Sequence, residues 1–315
     1  MQEPRPAASL DVFARSKREG RPLVVLTAYD LASALIGRGG GVDALLVGDS
    51  LGMVMLGHET TLPVTLADMV HHCRAVQRAR TGLPVIADLP YGTFHVSAAD
   101  TARAGLRLVQ EAGVQAVKLE GGRRRADAIA ALLDAEIPVM GHLGLTPQSV
   151  NRLGGYRVQG RGVAAEEQVL EDAAFLAAAG CFAIVLECVP APLAARVTAT
   201  VDVPTIGIGA GPGCDGQVLV FHDLLGLLPG AAPRFVRRYA DLGRQATEAV
   251  AAYASDVRQG LFPGAEHSYG GGPVDAATGS SAGAKGDLAK GDPADGDLDG
   301  PAYPDGRATD GAVAG

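Results

Sequence analysis

The 315-residue chain contains no tryptophan, and Phe, Tyr and Trp together make up only 4% of it. Its four cysteines lie far apart without a C-x-x-C pair, so neither a disulfide framework nor a structural zinc site is predicted. No window approaches the roughly 18 consecutive apolar residues of a transmembrane helix, and residues 1–18 lack the apolar core of a signal peptide. Basic residues form no long stripe with interleaved aromatics, which argues against nucleic-acid binding. We therefore expect a cytoplasmic protein with reduced thiols that binds neither nucleic acid nor membrane.

Small and aliphatic residues are abundant instead, with 47% of the chain hydrophobic and 20% charged. The length suits two ordinary domains or one α/β barrel of roughly 250 residues, and the large hydrophobic fraction favours a single core. Beyond residue 270 the composition shifts to Gly, Ala, Asp, Ser and Pro, which bury too little apolar surface to offset chain entropy. We predict a flexible leader at residues 1–20, one catalytic domain at 21–269 and a disordered tail at 270–315.

Short apolar runs alternate with segments of helical spacing from residue 22 to residue 259. This alternation predicts parallel strands with helices packed outside them. Eight strands and the length of the domain favour a closed (β/α)8 TIM barrel, although an open doubly wound sheet shows the same alternation. Long loops are predicted at 51–62 and 143–162, and closing helices at 233–259. The strands are predicted at residues 22–27, 42–47, 83–87, 114–119, 137–140, 182–186, 204–208 and 217–221.

Polar and charged residues stand where several of these strands end. In a barrel the carboxyl ends of all strands meet at one face, so these side chains are expected to converge there. Carboxylates, one ammonium and one imidazole at a single mouth require a cation to balance them. Mg2+ is the divalent ion that accepts one or two carboxylates and completes its shell with water and substrate oxygens. The residues are Asp49, Ser50, Asp88, Lys118, Glu120, His142 and Glu187.

Local structural explanations exist for some of these residues. Asp49 and Ser50 are residue types typical of helix caps and turns, and Asp88 precedes a Leu-Pro pair that also suits a turn. Glu120, before two glycines, suits a loop carboxylate, and His142 suits a buried histidine at the rim. For these positions the sequence leaves both explanations open.

Two other residues favour chemistry over structure. Lys118 lies inside an apolar strand, where a lysine is costly unless it is paired or belongs to a site. Glu187 lies between apolar residues that raise its proton affinity, as a general base or acid near neutral pH requires. The glycine-rich segment 207–213 does not match the dinucleotide-binding pattern and comes too late in the chain, so close backbone packing or an anion-tolerant loop on the barrel face is the better explanation.

Ten motifs, spread in order over residues 20 to 269, resemble those of the ketopantoate hydroxymethyltransferase family. The tail lies outside the family pattern. The segment 211–215 differs from that pattern in its middle residues. The motifs are LTAYD (26–30), VGDSLG (47–52), GHETTLPVT (57–65), ADLP (87–90), VKLEGG (117–122), GHLGLTPQ (141–148), GGYRVQG (154–160), LECVP (186–190), GIGAG (207–211) and PGAEH (263–267).

The resemblance implies a barrel of the phosphoenolpyruvate/pyruvate-binding type and an enzyme of pantothenate biosynthesis. Such an enzyme transfers a hydroxymethyl group from 5,10-methylenetetrahydrofolate to 3-methyl-2-oxobutanoate, with one Mg2+ per subunit. The resemblance also implies a homodecamer, built as a pentamer of dimers, and gives roles to the strand-end residues. Asp49, Asp88 and Glu120 serve the metal; Asp49, Ser50, Asp88 and Lys118 bind the substrate; Glu187 is the proton acceptor; and His142 is a possible additional site residue.

Two rival hypotheses stay open at this point. A Mg-dependent C–C or P–C bond lyase of the isocitrate lyase or phosphoenolpyruvate mutase kind has a similar barrel and stabilises an enolate, but no KKCGH-like loop is present. A barrel retained only as a scaffold or binding protein is expected to have replaced at least one of Asp49, Asp88, Lys118 and Glu187 by a neutral residue. All four are present.

Overall fold

The structure is a computed structural model that describes residues 8–230 and 232–269. The chain divides into two compact units, one ending at Gln259 and the other beginning at Gly260. In the second unit a 3-10 turn spans Ala265–His267. The predicted disordered tail, residues 270–315, lies outside the described residues.

Eight parallel strands close into a barrel in which every strand pairs with its neighbours in chain order and β1 pairs with β8. This confirms the closed (β/α)8 barrel and rules out the open doubly wound sheet. All eight predicted strands are present, with ends shifted by a few residues. They are β1 Leu23–Thr27, β2 Ala44–Val47, β3 Val85–Asp88, β4 Ala116–Glu120, β5 Val139–Gly144, β6 Ala183–Glu187, β7 Thr205–Ile208 and β8 Gly216–Leu219.

Both faces of the strands are buried, and each face contributes to a different hydrophobic core. In β2, Leu45 and Val47 belong to the core between the barrel and its helices, whereas Ala44 and Leu46 belong to the core inside the barrel. Because successive side chains of a strand point to opposite faces, such a strand must be apolar throughout its length. Charged side chains therefore lie from the middle of a strand to its carboxyl end, as Lys118 and Glu120 do in β4.

Side-chain caps fix where two of the outer helices begin. The Asp30 carboxylate accepts a hydrogen bond of 2.7 Å from Ser33 N at the start of α2, and Thr65 Oγ1 accepts one of 3.2 Å from Asp68 N at the start of α4. These bonds satisfy N–H groups that the first turn of a helix leaves unpaired. The helices are α1 Asp11–Glu19, α2 Leu31–Gly39, α3 Leu51–Val54, α4 Leu66–Arg78, α5 Ala98–Ala112, α6 Ala126–Asp134, α7 Val150–Leu153, α8 Val163–Ala179, α9 Ala191–Thr200, α10 Phe221–Leu225 and α11 Leu242–Gln259.

The expectation of a flexible leader does not hold for residues 11–19, which form α1. Phe13 in this helix is 1% exposed and packs edge-on against Phe182, with the ring centroids 5.1 Å apart. Phe13 belongs to the core inside the barrel together with residues that begin strands, such as Leu23 and Ala44. Helix α1 thus closes the amino end of the barrel. Its largely polar sequence concealed this role, because one large apolar residue is enough to fill the inner core there.

Other differences from the predictions are local. The long loops predicted at 51–62 and 143–162 contain the short helices α3 and α7, and the closing helix α11 begins at Leu242 rather than near residue 233. The glycine-rich segment after β7 packs closely, as predicted, since a Cβ at Gly211 would clash with Ala191. Within the described part of the chain, no helix is long and apolar enough to cross a membrane.

Candidate active site

All seven predicted site residues lie at the carboxyl end of the barrel. Five of them are at most 6% exposed although they carry ionisable groups: Asp49, Asp88, Lys118, Glu120 and His142. Burying this many ionisable groups is costly unless neighbouring groups compensate. Their contacts with one another therefore decide what the site can do.

The Lys118 ammonium lies between an aspartate and a histidine. Its Nζ is 3.0 Å from Asp88 Oδ1 and 3.2 Å from His142 Nδ1. Asp88 and Lys118 are register partners on β3 and β4, so the barrel itself brings them together. Burial disfavours the charged lysine, but the nearby carboxylates outweigh that effect and hold the pKa of Lys118 above its usual range. Lys118 is therefore a buried, paired cation, as its place in an apolar strand predicted.

Negative charge exceeds positive charge around this lysine. Burial and then the charge of Asp88 raise the pKa of Asp49 to about 7. Burial and then the charge of Asp49 raise the pKa of Glu120 well above its usual range. One ammonium does not offset the carboxylates of Asp49, Asp88 and Glu120, so a further cation would stabilise their ionised forms.

Gln148 connects two of these carboxylates, although it was not among the predicted site residues and appeared only within a motif. Its Nε2 donates hydrogen bonds to Asp49 Oδ2 at 2.8 Å and to the Leu89 carbonyl at 2.9 Å. Its backbone N–H donates to Glu120 Oε2 at 3.0 Å. Gln148 lies in the 3-10 turn Pro147–Ser149 after β5 rather than at a strand end, so the strand-end pattern did not reveal it.

Ser50 contacts a tyrosine instead of capping the helix that follows it. Its Oγ is 2.9 Å from the Tyr29 hydroxyl, and its side chain makes no capping hydrogen bond to α3. Residue 48 must be glycine here because a Cβ would lie 2.8 Å from Ser50 Oγ and 3.4 Å from Asp88 Oδ2. The turn thus presents Ser50 to the site, and Tyr29, fully buried after β1, is a second residue that the sequence did not single out.

Glu187 faces His142 across the mouth of the barrel. Glu187 Oε2 lies 3.1 Å from His142 Nε2, and burial raises the pKa of Glu187 to about 7. Burial and the Lys118 charge hold the pKa of His142 well below its usual range, so the imidazole is neutral. Because an ammonium only donates hydrogen bonds, His142 Nδ1 accepts from Lys118 and the ring proton is assigned to Nε2, on the side of Glu187.

Tyr156 lies over the same mouth. Its hydroxyl is 3.9 Å from Met53 Sδ on the opposite wall, so the segment after α7 meets helix α3 there. Partial burial, followed by the charges of Asp49, Glu187 and Glu120, raises the pKa of Tyr156. This coupling shows that Tyr156 lies near the carboxylates, and it is a third residue that the strand-end pattern missed.

The donor set suits a hard divalent cation that retains open positions. Within the residues that the structure describes, no group of three or more His, Cys, Asp or Glu side chains is arranged to hold a metal ion. Mg2+ needs no such group, because it commonly uses one or two carboxylates and completes its octahedron with waters and substrate oxygens. Asp49 and Asp88 carry adjacent carboxylates that could hold such an ion, and the Asp49 N–H donates to Asp88 Oδ2 at 3.0 Å.

Comparison with known proteins identifies the family to which the chain is similar. The sequence model of the ketopantoate hydroxymethyltransferase family matches residues 8–265. The chain is 57% identical over 267 residues to the 3-methyl-2-oxobutanoate hydroxymethyltransferase of Nitratidesulfovibrio vulgaris. The aligned region covers 84% of this chain and 86% of that protein. It is 52% identical over 265 residues to the enzyme of the same name from Moorella thermoacetica, covering 84% of this chain and 98% of that one.

Solved structures share the fold at low sequence identity. A 2,3-dimethylmalate lyase of the PEP mutase/isocitrate lyase superfamily superposes with a TM-score of 0.54 at 19% identity, covering 83% of this chain and 88% of the lyase. A phosphonopyruvate hydrolase complexed with oxalate and Mg2+ superposes with a TM-score of 0.52 at 14% identity, covering 81% of this chain and 91% of the hydrolase. At these identities the likeness establishes the barrel type and no activity.

Proposed function

The chain belongs to the ketopantoate hydroxymethyltransferase family, and we propose that the side chains at the carboxyl end of its barrel carry out that family's reaction. The protein is a one-carbon transferase. In the proposed reaction it moves a hydroxymethyl group from 5,10-methylenetetrahydrofolate to 3-methyl-2-oxobutanoate and yields 2-dehydropantoate and tetrahydrofolate. The observation that carries the residue assignment is Glu187, a carboxylate only 16% exposed with a pKa of about 7, at the same mouth as Lys118 and the aspartates.

Asp49 and Asp88 are the residues that would hold one Mg2+ per subunit. Glu120 is engaged by the Gln148 N–H, which suits an association with the ion through its water shell. When bound, the ion supplies a Lewis acid that stabilises negative charge on the keto oxygen of the substrate. The Asp49 pKa supports this assignment, because a carboxylate that is hard to ionise without a cation is one that a cation favours.

Lys118 and Ser50 are the anchors for the keto acid. The substrate carboxylate needs a buried positive charge, and Lys118 is the ammonium at the centre of the site. The Ser50 hydroxyl, oriented by Tyr29, is placed to donate a hydrogen bond to the bound acid. These contacts orient C3 of the substrate towards a base, which lowers the entropic part of the barrier.

Glu187 is the base. Breaking the C3–H bond transfers the proton to the Glu187 carboxylate, and the electron pair is delocalised over C3 and the keto oxygen. C3 then attacks the methylene carbon of the folate, whose two bonds to nitrogen are replaced by one bond to C3 and one to the oxygen of water, while the two nitrogens take up the proton removed from C3 and one proton of that water. A base with a pKa of about 7 is ionised in a large fraction of molecules at neutral pH and still binds a proton well.

His142 is a positioning residue for this base. Its Nε2 lies 3.1 Å from Glu187 Oε2 without forming a hydrogen bond within the described residues, so the ring packs against the base, and its Nδ1 lies 3.2 Å from Lys118 Nζ. The chain Lys118–His142–Glu187 thus links the substrate anchor to the base. The lyase hypothesis, by comparison, rests on the shared barrel alone.

Product analysis tests the function directly. Purified protein with Mg2+, 3-methyl-2-oxobutanoate and folate labelled with 13C at the methylene carbon is expected to give 2-dehydropantoate labelled in its hydroxymethyl group. Release of pyruvate or of another cleavage product, without labelled hydroxymethyl product, would instead support the lyase hypothesis. The homodecamer and the cytoplasmic location are further proposals, and sedimentation of the intact chain tests the first of them.

A further inference from the structure

A cavity of about 200 Å3 lies beside the active site, between the turn after β4 and the start of α8. Glu120 lines it on the side of the buried carboxylates. Three arginines, Arg124, Arg125 and Arg152, also line it. Since Glu120 is buried and both Arg124 and Arg152 are exposed, the cavity leads from the reaction centre to the surface.

The positive charge of this cavity is poorly balanced. Among residues 8–230 and 232–269, neither Arg124 nor Arg152 forms an ion pair with a carboxylate. The Asp172 carboxylate also lines the cavity, but it accepts a hydrogen bond of 2.7 Å from the Arg123 backbone N–H and, within the described residues, forms no ion pair with the three guanidinium groups. Three guanidinium groups so close together repel one another unless an anion lies between them.

Arg125 shows the same need for a partner. Its guanidinium lies over the Phe94 ring at 5.1 Å, and its buried Nε has no hydrogen-bond partner within the described structure. Burial, and after it the charges of Arg124 and Arg152, lower the pKa of Arg125, which places the three groups within electrostatic reach of one another. Arginine forks of this kind bind carboxylates with two parallel hydrogen bonds.

We propose that this arginine cavity binds the glutamyl carboxylates of the folate cosubstrate. The inference rests on the proposed function and identifies the site of its second substrate. The keto acid already has a cation in Lys118, so the three arginines serve another anion. In the folate, the p-aminobenzoyl group separates the reactive methylene from the glutamyl end. Its carboxylates must therefore lie beside the metal site rather than in it, and the cavity adjoins Glu120 in that way.

Folates with one and with five glutamyl residues provide the test. The wild-type enzyme is expected to have a lower KM for the pentaglutamyl folate, because several carboxylates share the arginines. Arg124→Gln combined with Arg152→Gln is expected to raise that KM about tenfold, as the loss of charge-assisted hydrogen bonds predicts. The same pair of substitutions should remove most of the difference between the two folates.

Arg123→Gln is the matched control. Arg123 precedes Arg124 in the same turn, but its guanidinium lies over Phe175 at 5.7 Å and it does not line the cavity. This variant should retain the wild-type KM for both folates. An equal rise of KM in the control and in the double variant would overturn the proposal, as would an unchanged ratio of the two KM values in the double variant.

Two further measurements separate this proposal from the proposed function. Equilibrium binding of tetrahydrofolate pentaglutamate to wild type and double variant needs no turnover, and equal affinities would overturn the cavity assignment. Competition by inorganic phosphate with no effect of glutamyl chain length would indicate a free-phosphate site and also overturn it. Exchange of the C3 proton of the keto acid without folate reports on the keto-acid site alone, so its absence from the wild type would contradict the proposed function instead.

Discussion

His142 Nε2 lies 3.1 Å from Glu187 Oε2, and on the other side of the ring His142 Nδ1 lies 3.2 Å from Lys118 Nζ. One neutral imidazole therefore lies between the ammonium that we propose as the substrate anchor and the carboxylate that we propose as the base. The arrangement fixes the tautomer of the ring, because Lys118 can only donate. It also explains why a histidine that resembled a rim residue in the sequence is 2% exposed and still belongs to the site.

Replacement of His142 should reduce catalysis more than binding. In His142→Ala the Glu187 carboxylate loses the group that orients it, and we expect kcat to fall roughly 10- to 100-fold with little change in the KM for the keto acid. Steady-state kinetics at saturating Mg2+ measures both constants. His71→Gln, on the exposed face of α4, is the control and should behave as wild type. A rise in KM at constant kcat would show that His142 only binds substrate.

Loss of Gln148 should weaken metal binding. Without the side-chain hydrogen bonds from Nε2 to Asp49 Oδ2 and to the Leu89 carbonyl, the Asp49 carboxylate loses its fixed orientation, whereas the backbone N–H of residue 148 still donates to Glu120. We expect Gln148→Ala to raise the Kd for Mg2+ about 10- to 100-fold, as for other residues that orient metal ligands. Calorimetric titration with Mg2+ measures this. Gln245→Ala, exposed on α11, should leave the Kd unchanged, and an unchanged Kd in Gln148→Ala would remove Gln148 from the site.

The metal-free protein should become less stable as pH rises from about 4 to about 7. The pKa of Asp49 rises from 3.8 to about 7 on folding, so over this range the folded state binds a proton that the unfolded state has lost. A raised carboxyl pKa contributes stability below the unfolded pKa and loses it as pH rises through the folded one. Urea unfolding at several pH values measures the slope.

Asp49→Asn is the variant that isolates this effect. In this variant the slope of the unfolding free energy against pH should become less steep, by the amount that corresponds to binding about one proton fewer in the folded state. Saturating Mg2+ should also reduce the slope in wild type, because the ion favours the ionised carboxylates. A slope that is the same in wild type and Asp49→Asn would contradict the raised pKa.

Phe13 should stabilise the barrel without taking part in catalysis. It is 1% exposed and fills the amino end of the inner core, far along the strands from the site. Phe13→Ala should lower the free energy of unfolding by about 3–5 kcal/mol. Chemical denaturation measures the loss, and Val12→Ala, a neighbour only partly buried against the same core, should cost much less. Equal losses of unfolding free energy in the two variants would show that Phe13 does not fill the amino end of the inner core.

The barrel and the strand-end residues were predictable from sequence because both depend on local patterns. Continuous apolar runs indicate strands buried on both faces, and the topology of a barrel then places Asp88, Lys118 and Glu187 at one end. Gln148 and Tyr156 were not predictable in this way, since their segments reach the site only through tertiary packing. Helix α1 was missed because most of its residues are charged or polar, which is also typical of a solvated leader, although its few buried residues share one helical face.

The most direct test of the account is the fate of the C3 proton of 3-methyl-2-oxobutanoate in D2O, followed by NMR with enzyme and Mg2+ but without folate. We predict exchange that requires Mg2+ and disappears in Glu187→Gln, because the amide retains the shape of the side chain but accepts no proton. Calorimetry should show that this variant still binds Mg2+, which distinguishes loss of the base from loss of the site. Undiminished exchange in Glu187→Gln, or none in the wild type, would contradict the assignment of Glu187 as the base.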